Sequence, residues 1–194
     1  MMGLFGEKLL AYAYRLKERR GFFLSDVKRL AYFANNPRNQ EVEVVKLKLS
    51  VLNHEQINDL ACQQEMTNHI IAQNIDEDLD GNALTAVTKL AKFQFKGNEY
   101  HLLAFASAYC NSHKPNVFPI YDVKHLGLMK QYMSHYALLG SEESLEDYSV
   151  FKRGLDHLMN HYRLDELLNY YEVKKLSWLY LDKLLAENAC ELNQ

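Results

Sequence analysis

The sequence predicts an all-α protein, with one compact multi-helix domain over residues 1–194 built around a buried central helix at about 100–112. Three observations predict this architecture. Apolar residues recur at helical spacing along most of the chain. The stretch from Leu102 to Tyr109 is apolar or small on every side, which is typical of a helix enclosed by other helices. With three prolines, eight glycines and no Pro-rich or Gly/Ser-rich run, the chain has no evident linker.

Two amphipathic helices are predicted at the amino terminus. Apolar residues in 4–19 recur at helical spacing with basic residues on the opposite face, and Gly21 ends this segment. Ser25 is a favourable N-cap for the second helix, because its side chain can accept a hydrogen bond from a backbone N–H of the first turn. That helix is expected to stop before Pro37.

The segment at 42–51 fits two secondary structures. Four of its residues alternate as in a short strand, namely Val45, Leu47, Leu49 and Val51. A helical stripe fits equally well, formed by Val42, Val45, Leu49 and Leu52. We favour the helix, because no second strand is evident with which a short strand could pair. A long helix through Ile71 is expected to begin at Asn53.

The acidic residues at 76–82 match the first half of a calcium-binding loop, which has Asp at alternate positions and a glycine for the sharp turn. Such a loop closes with a bidentate Glu at position twelve, where this chain has Val87. We therefore interpret the segment as a solvated turn that caps a helix from Leu84 to Phe95. Gly97 and the residue after it then separate that helix from the central one.

Three further helices are expected after the central helix. Ser144 and Asp147 resemble a capping box for the second of them, with Asp in place of the usual Glu or Gln. The three helices are expected at 123–140, from Ser144 to about Tyr162, and from Asp165 to about Asn188.

Charge is unevenly distributed along the chain. Residues 1–38 hold eight Lys or Arg and three acidic residues, a net charge of +5, whereas residues 141–194 hold eleven acidic and six basic residues, a net charge of −5. A basic end on a protein of net charge −3 is a candidate phosphate-binding surface. Ordinary solvated helix faces explain the pattern equally well. The basic residues that would contact DNA are Arg19, Arg20, Lys28 and Arg29, together with Lys114 and Lys124 beside the central loop.

Cysteine usage and hydropathy indicate the compartment. The three cysteines, Cys62, Cys110 and Cys190, are odd in number and far apart, which fits a reducing cytoplasm. The amino-terminal residues lack the apolar core of a secretory signal, and no uninterrupted apolar run approaches membrane-spanning length. We therefore expect a cytoplasmic protein without a membrane partner.

The common nucleotide-binding and hydrolytic motifs are absent, since the chain has no GxGxxG, GxxxxGK[ST], HExxH or GxSxG sequence. His157 and His161 lie one helical turn apart and could in principle bind a metal. Two imidazoles without a nearby third ligand are more typical of an ordinary helix face. We therefore predict neither a metal nor another cofactor.

The sequence FASAYCNSHKPNVFPIYD, which ends at Asp122, resembles a motif of largely uncharacterised bacterial proteins. In those proteins the motif reads Phe-Ala-Ser-Lys-Tyr-Cys, then His-x-Pro, then Phe/Tyr-Pro-Ile-Tyr-Asp. The later EVKKLSWLY, which contains Trp178, is similar to the same group's Glu-Ile-Asp-Lys-Phe-Leu-Trp element, so the resemblance covers about residues 95–180. The group in turn resembles shortened helix-hairpin-helix DNA glycosylases of the 8-oxoguanine type.

This resemblance implies cleavage of an N-glycosidic bond in double-stranded DNA, in genome maintenance or in defence against phage DNA. Such enzymes extrude a nucleotide from the duplex and enclose its base among aromatic side chains. Asp122 would be the catalytic carboxylate, which stabilises positive charge on the sugar or orients water. His113, Tyr121 and Trp178 would contact the substrate.

The chain departs from these relatives at the lysine that forms a Schiff base in bifunctional glycosylases. The corresponding position is Ala108, and no charged residue occurs between Leu102 and Asn111. If the chain shares the fold of these enzymes, its glycosylase activity would therefore either be monofunctional, with Asp122 and water, or be absent. The chain also lacks a clear Gly-x-Gly hairpin, whose backbone amides normally bind a DNA phosphate.

Structural roles explain the same candidate residues without catalysis. An Asp after an extended Pro-Ile-Tyr segment is an efficient helix N-cap, which contributes ~1 kcal/mol of stability. His113 and Tyr121 lie beside a proline-containing loop, where such side chains are often hydrogen-bonded structural residues. The alternative function is therefore a non-catalytic module on the same helical scaffold, which binds nucleic acid, a protein partner or a second copy of itself.

Overall fold

The computed structural model of the chain describes residues 4–19, 24–57 and 60–188. Within these ranges it forms ten α-helices, a single 3₁₀ turn at Glu55–Ile57 and one two-stranded antiparallel sheet, which confirms the predicted all-α class. None of these helices combines the length and the apolar composition that a membrane span needs. The elements are α1 Leu4–Glu18, α2 Leu24–Asn35, α3 Val42–Leu52, α4 Leu60–Gln73, α5 Asp76–Asp80, α6 Thr85–Ala91, β1 Lys92–Phe95, β2 Asn98–His101, α7 Leu103–His113, α8 Val123–His135, α9 Tyr148–His161 and α10 Tyr170–Asn188.

The elements form two compact units. The central unit is the continuous segment Leu24–Tyr121, and the terminal unit combines Met1–Phe23 with Asp122–Gln194. The expectation of a single domain over residues 1–194 stays a prediction.

Helix α7 is the buried centre of the central unit. Nine of its eleven residues are buried, and α2, α3 and α6 all pack against it. Two of its polar side chains hold the loop that follows. Asn111 Nδ2 donates to the Phe118 carbonyl at 2.7 Å, and Ser107 Oγ accepts from the Tyr121 backbone N–H at 2.9 Å. The predicted central helix is therefore confirmed, with its first residue at Leu103.

The segment at 42–52 is helical, so the strand alternative for 42–51 is wrong. Val45 and Leu49, one turn apart, are 0% and 1% exposed, whereas Leu47 is 52% exposed, as a helical stripe requires. Asn53 ends α3 in a left-handed conformation with φ of 46°. The expectation that Asn53 opens the next helix is therefore wrong, and α4 begins at Leu60.

The predicted helix from Leu84 to Phe95 is wrong beyond Ala91. The following residues form β1, which pairs with β2 in a hairpin. Lys96 and Gly97 make the turn, with φ of 50° and 78°. Positive φ at both central residues is the geometry of the type I′ turn, whose twist matches that of paired strands. Gly97, interpreted from the sequence as a break between two helices, is therefore part of the β1–β2 turn.

The terminal unit packs α1 against α10. Lys17 Nζ lies 2.5 Å from Glu172 Oε1, and the rings of Tyr12 and Tyr180 stack with centroids 4.4 Å apart. The predicted apolar stripe of α1 faces inward, since Leu9, Tyr12, Ala13 and Leu16 are all buried. The first helix of the described chain therefore depends on the last one for its burial.

Local capping sets the ends of α8 and α9. Helix α8 ends at His135 rather than at Gly140, because Ala137 adopts a left-handed conformation with φ of 52°. Asp147 is the N-cap of α9, and its side chain accepts a hydrogen bond from the Ser149 N–H at 2.7 Å. The predicted capping box that begins at Ser144 is therefore wrong.

A capping box does occur at the start of α10. Asn169 N–H donates to Glu172 Oε2, and Glu172 N–H donates to Asn169 Oδ1, both at 2.9 Å. This reciprocal pair begins the helix at Tyr170, five residues later than the predicted start at Asp165.

Helices α8 and α9 approach closely at Gly154. A Cβ atom at this position would overlap the Met133 sulfur and lie 3.0 Å from Met129 Cε. Both methionines are buried, at 0% and 2% exposure, so they have little room to move. At Gly127, on α8, a Cβ atom would meet nothing within 4 Å.

We predict opposite effects of alanine at these two glycines. Gly154→Ala should destabilise the protein by about 1–3 kcal/mol, because overpacking outweighs the gain in helix propensity. Gly127→Ala should stabilise it by up to about 1 kcal/mol, because the site is open. Urea unfolding followed by circular dichroism measures both changes. Stabilisation by Gly154→Ala would contradict the close approach of α8 and α9.

Candidate functional site

Asp122 is the residue immediately before α8, in the terminal unit. Its side chain is 22% exposed. Lys174 Nζ, from α10, lies 3.8 Å from Asp122 Oδ2, and the Lys174 side chain is 33% exposed. The carboxylate is thus partly buried, opposed by a cation, and still reached by solvent.

The same α10 face carries the only tryptophan of the chain. Trp178 follows Lys174 by four residues, and residues at this spacing lie on one helix face. Trp178 is 61% exposed, which is unusual for so large an apolar side chain. The terminal unit therefore contains an acid and an amine that face each other, and an exposed indole one turn farther along α10.

Each of these three side chains can make a different kind of interaction with a ligand. A fixed carboxylate stabilises positive charge that develops on a sugar carbon. An exposed indole offers a surface on which a base can stack. An ammonium group attracts a phosphate. Of the three residues, the sequence predicted functions for Asp122 and Trp178 but not for Lys174.

The other two predicted substrate contacts, Tyr121 and His113, belong to the central unit. Tyr121 is 7% exposed, and its backbone N–H donates to Ser107. His113 Nε2 lies 3.2 Å from Asn39 Oδ1, and its ring packs edge-on against Phe33. Both residues therefore have packing roles in the central unit, and their role in substrate binding stays a prediction.

His113 is part of a buried polar network around Asn39, which is 3% exposed. Asn39 Nδ2 donates to Asp76 Oδ1 at 2.7 Å, and the Asn39 N–H donates to the same carboxylate at 3.1 Å. Asn39 Oδ1 accepts from Lys48 Nζ at 2.8 Å and from the Tyr109 hydroxyl at 2.6 Å. The network joins the α2–α3 loop to α3, α5 and α7. Asp76 is 4% exposed, so the expectation of a solvated turn at 76–82 is wrong for this residue.

Burial sets the protonation states in this network. It lowers the pKa of Lys48 to about 8, although the charge of Asp76 opposes the shift. Burial and then the positive charges of Lys48 and Lys114 lower the pKa of His113 to about 3, so the imidazole is neutral at neutral pH. Burial raises the pKa of Tyr109 well above its usual value, which keeps its hydroxyl a donor.

The residues predicted to contact DNA differ in their exposure and in their hydrogen bonds within the protein. Arg29 donates to Ser112 Oγ at 3.1 Å in a part-buried position, and Lys114 donates to Asn82 Oδ1 at 2.7 Å. Arg19 and Lys28 are exposed. Arg20 and the side chain of Lys124 lie outside the described residues. Among the described residues, Arg29 and Lys114 therefore form hydrogen bonds within the protein. Arg19 and Lys28 are exposed to solvent.

The sequence interpretation missed the Asn39 network and Lys174. One signal was present, because Lys48 lies next to Leu49 on the apolar stripe of α3, where an exposed lysine would not be expected. Asn39 and Asp76 are far apart in the chain, and no local pattern connects them. Lys174 is one of two consecutive lysines, and only the helix rotation distinguishes the one that faces Asp122.

We predict that His113 contributes to acid destabilisation of the protein. The folded-state pKa of His113 is about 3 and its ordinary value is 6.5, so between these pH values the unfolded chain binds more protons. Stability should therefore fall as pH falls through this window, by at most about 1.4 kcal/mol per pH unit from this residue. His113→Gln should lose less stability than the wild type between pH 6.5 and pH 3.

Urea unfolding at a series of pH values measures this difference. His135→Gln, which changes an exposed histidine of α8, is the matched control and should follow the wild-type curve. Parallel curves for the wild type and His113→Gln would contradict the predicted contribution.

Comparison with known proteins identifies a family but no activity. The chain matches the HI_0787_N family, described as an N-terminal domain, over residues 8–117, so Asp122, Lys174 and Trp178 follow the matched region. It is 25% identical over 113 residues to an uncharacterised protein of Haemophilus influenzae, a match that covers 58% of this chain and 51% of that protein. The chain thus spans about half the length of this curated relative. No solved structure matches the chain. Because residues 8–117 are more than half of its length, the chain belongs to the HI_0787_N family.

Proposed function

We propose that this protein is DNA glycosylase-like and excises or recognises a modified base in duplex DNA, with Asp122 as the catalytic carboxylate. The observation that carries the proposal is the partly buried Asp122 side chain before α8, with the Lys174 ammonium 3.8 Å away. The exposed Trp178 on the same α10 face supports it.

The reaction is hydrolysis of the N-glycosidic bond. The bond between the sugar C1′ and the base nitrogen breaks, and its electron pair leaves with the base. The carboxylate of Asp122 stabilises the positive charge left on the sugar, as carboxylates do in glycoside hydrolysis. Water adds to C1′, and the proton it releases passes to Asp122 or to the departing base.

Recognition of the extruded nucleotide uses the α10 face. Stacking on an indole is worth about 1–3 kcal/mol per base and tolerates different bases. Lys174 supplies a positive charge for a phosphate oxygen next to the target nucleotide. This arrangement explains why a large aromatic ring would stay exposed to solvent.

The proposed activity is monofunctional. The position where the bifunctional glycosylases carry a lysine is Ala108, which is 4% exposed within the core around α7. A methyl group cannot form a Schiff base, so the nucleophile is water and the product is an intact abasic site.

We predict that the purified protein releases a free base from a duplex with one modified base, and that Asp122→Asn abolishes the release. The amide keeps the size of the side chain but removes the negative charge that stabilises the sugar cation. Mass spectrometry of the released base and alkaline cleavage at the abasic site measure the reaction. The substrate panel contains oxidised, deaminated and alkylated bases.

Asp147→Asn is the matched control, because Asp147 begins α9 as Asp122 precedes α8. It should retain base release while changing stability by a similar small amount. If no base is released from the panel while DNA binding is equal in the wild type and Asp122→Asn, the protein is a non-catalytic binding module.

We also predict that DNA binding weakens steeply with salt and that Arg19 and Lys28 contribute to this dependence. Both side chains are exposed. Each phosphate contact adds about 0.9 to the slope of log affinity against log salt concentration, so Arg19→Ala and Lys28→Ala should each reduce the slope by about 1. Fluorescence anisotropy between low and physiological salt measures it.

Arg163→Ala is the control for this measurement, because Arg163 is an exposed arginine in the acidic carboxy-terminal part of the chain. Its slope should equal that of the wild type. Binding that is indifferent to salt would exclude a phosphate-binding role for Arg19 and Lys28.

A further inference from the structure

Two tyrosine–histidine pairs lie between α8 and α9, outside the Asp122 arrangement. The Tyr132 hydroxyl is 2.7 Å from His157 Nδ1, and the Tyr136 hydroxyl is 3.2 Å from His161 Nε2. Tyr132 is 4% exposed, so its hydroxyl is held in place by packing. One ring nitrogen of each imidazole therefore contacts a tyrosine hydroxyl, His157 that of Tyr132 in α8 and His161 that of Tyr136, the residue after α8.

The two histidines are arranged as a pair. His157 and His161 are one turn apart on the same face of α9. Their rings are nearly parallel, with an interplanar angle of 12° and centroids 5.9 Å apart. His161 is exposed and His157 is partly exposed, so solvent reaches the pair. Two histidines at positions i and i+4 on one helix face have the spacing at which zinc-dependent proteases bind a single ion.

We propose that His157 and His161 bind a divalent transition-metal ion, and that Tyr132 and Tyr136 orient the two imidazoles. A metal-binding histidine almost always donates its second ring N–H to an acceptor, which fixes the tautomer and the ring orientation. Here the tyrosine oxygens accept from Nδ1–H of His157 and from Nε2–H of His161. This leaves Nε2 of His157 and Nδ1 of His161 to bind the ion.

The ligand type selects the class of metal. Imidazole suits copper, nickel and zinc, whereas magnesium and calcium prefer oxygen ligands. Among the residues that the structure describes, no group of three His, Cys, Asp or Glu side chains could hold a metal. Water therefore completes the coordination sphere, unlike in a structural zinc site with four protein ligands. Cu(II) should bind most tightly, as the general order of affinities for such ligands requires.

Titration calorimetry of the purified full-length chain with CuCl₂, NiCl₂ and ZnCl₂ tests the proposal, with MgCl₂ as the ion that should not bind. His157→Ala and His161→Ala should each weaken Cu(II) binding at least about 10-fold. Tyr132→Phe should weaken it by about 10-fold, because the ring loses the group that orients it. Electron paramagnetic resonance of wild-type protein with one equivalent of Cu(II) should show coupling to two imidazole nitrogens.

His135→Ala is the matched control, because this exposed histidine packs against Tyr136, with ring centroids 4.8 Å apart, but takes no part in the proposed pair. Its Cu(II) affinity should equal that of the wild type. Unchanged affinity in His157→Ala or His161→Ala would overturn the proposal. So would a wild-type spectrum without two coupled imidazole nitrogens, a measurement that does not depend on how the variants fold.

Discussion

The bridge that Asn39 forms between two buried, oppositely charged side chains organises the central unit. Its amide N–H groups bind the Asp76 carboxylate, and its carbonyl oxygen binds the Lys48 ammonium. Taking two charges out of water costs several kcal/mol each, and their attraction offsets this only when hydrogen bonds satisfy the remaining donors and acceptors. Lys48 meets that condition through a further bond to the Arg38 carbonyl at 2.8 Å. The arrangement of helices that packs the core of the central unit is therefore also the one that gives these buried charges their hydrogen-bond partners.

Within the central unit this network extends through α7 to the loop that follows the helix. The Tyr109 hydroxyl bonds to Asn39 and fixes the rotation of the helix, while Ser107 and Asn111 hold the residues that follow it. The last residue held in this way is Tyr121, and Asp122 comes next in the chain. The path of the backbone up to Tyr121 is thus set by polar side chains of a buried helix and not by apolar packing alone.

The sequence contains the helical periodicity and the buried α7, because both depend on residues close together in the chain. It does not reveal the hairpin at Lys96 and Gly97, since two four-residue strands carry little periodicity and one glycine serves a turn or a helix break equally well. Among the site residues, Asp122 and Trp178 stand out by their motifs. Lys174 does not stand out in the sequence, because the rotation of α10 decides which of two consecutive lysines faces Asp122. The packing of the terminal unit sets that rotation.

The order of the two units along the chain has a consequence for biosynthesis. The central unit is one continuous segment, so it can fold as soon as it leaves the ribosome. Helix α1 is made before the central unit but packs against α10, and the Lys17–Glu172 pair joins residues 155 positions apart. Its apolar stripe therefore stays uncovered while the intervening residues are translated. During that interval the nascent chain presents an amphipathic helix that a chaperone can shield and that a neighbouring nascent chain can capture.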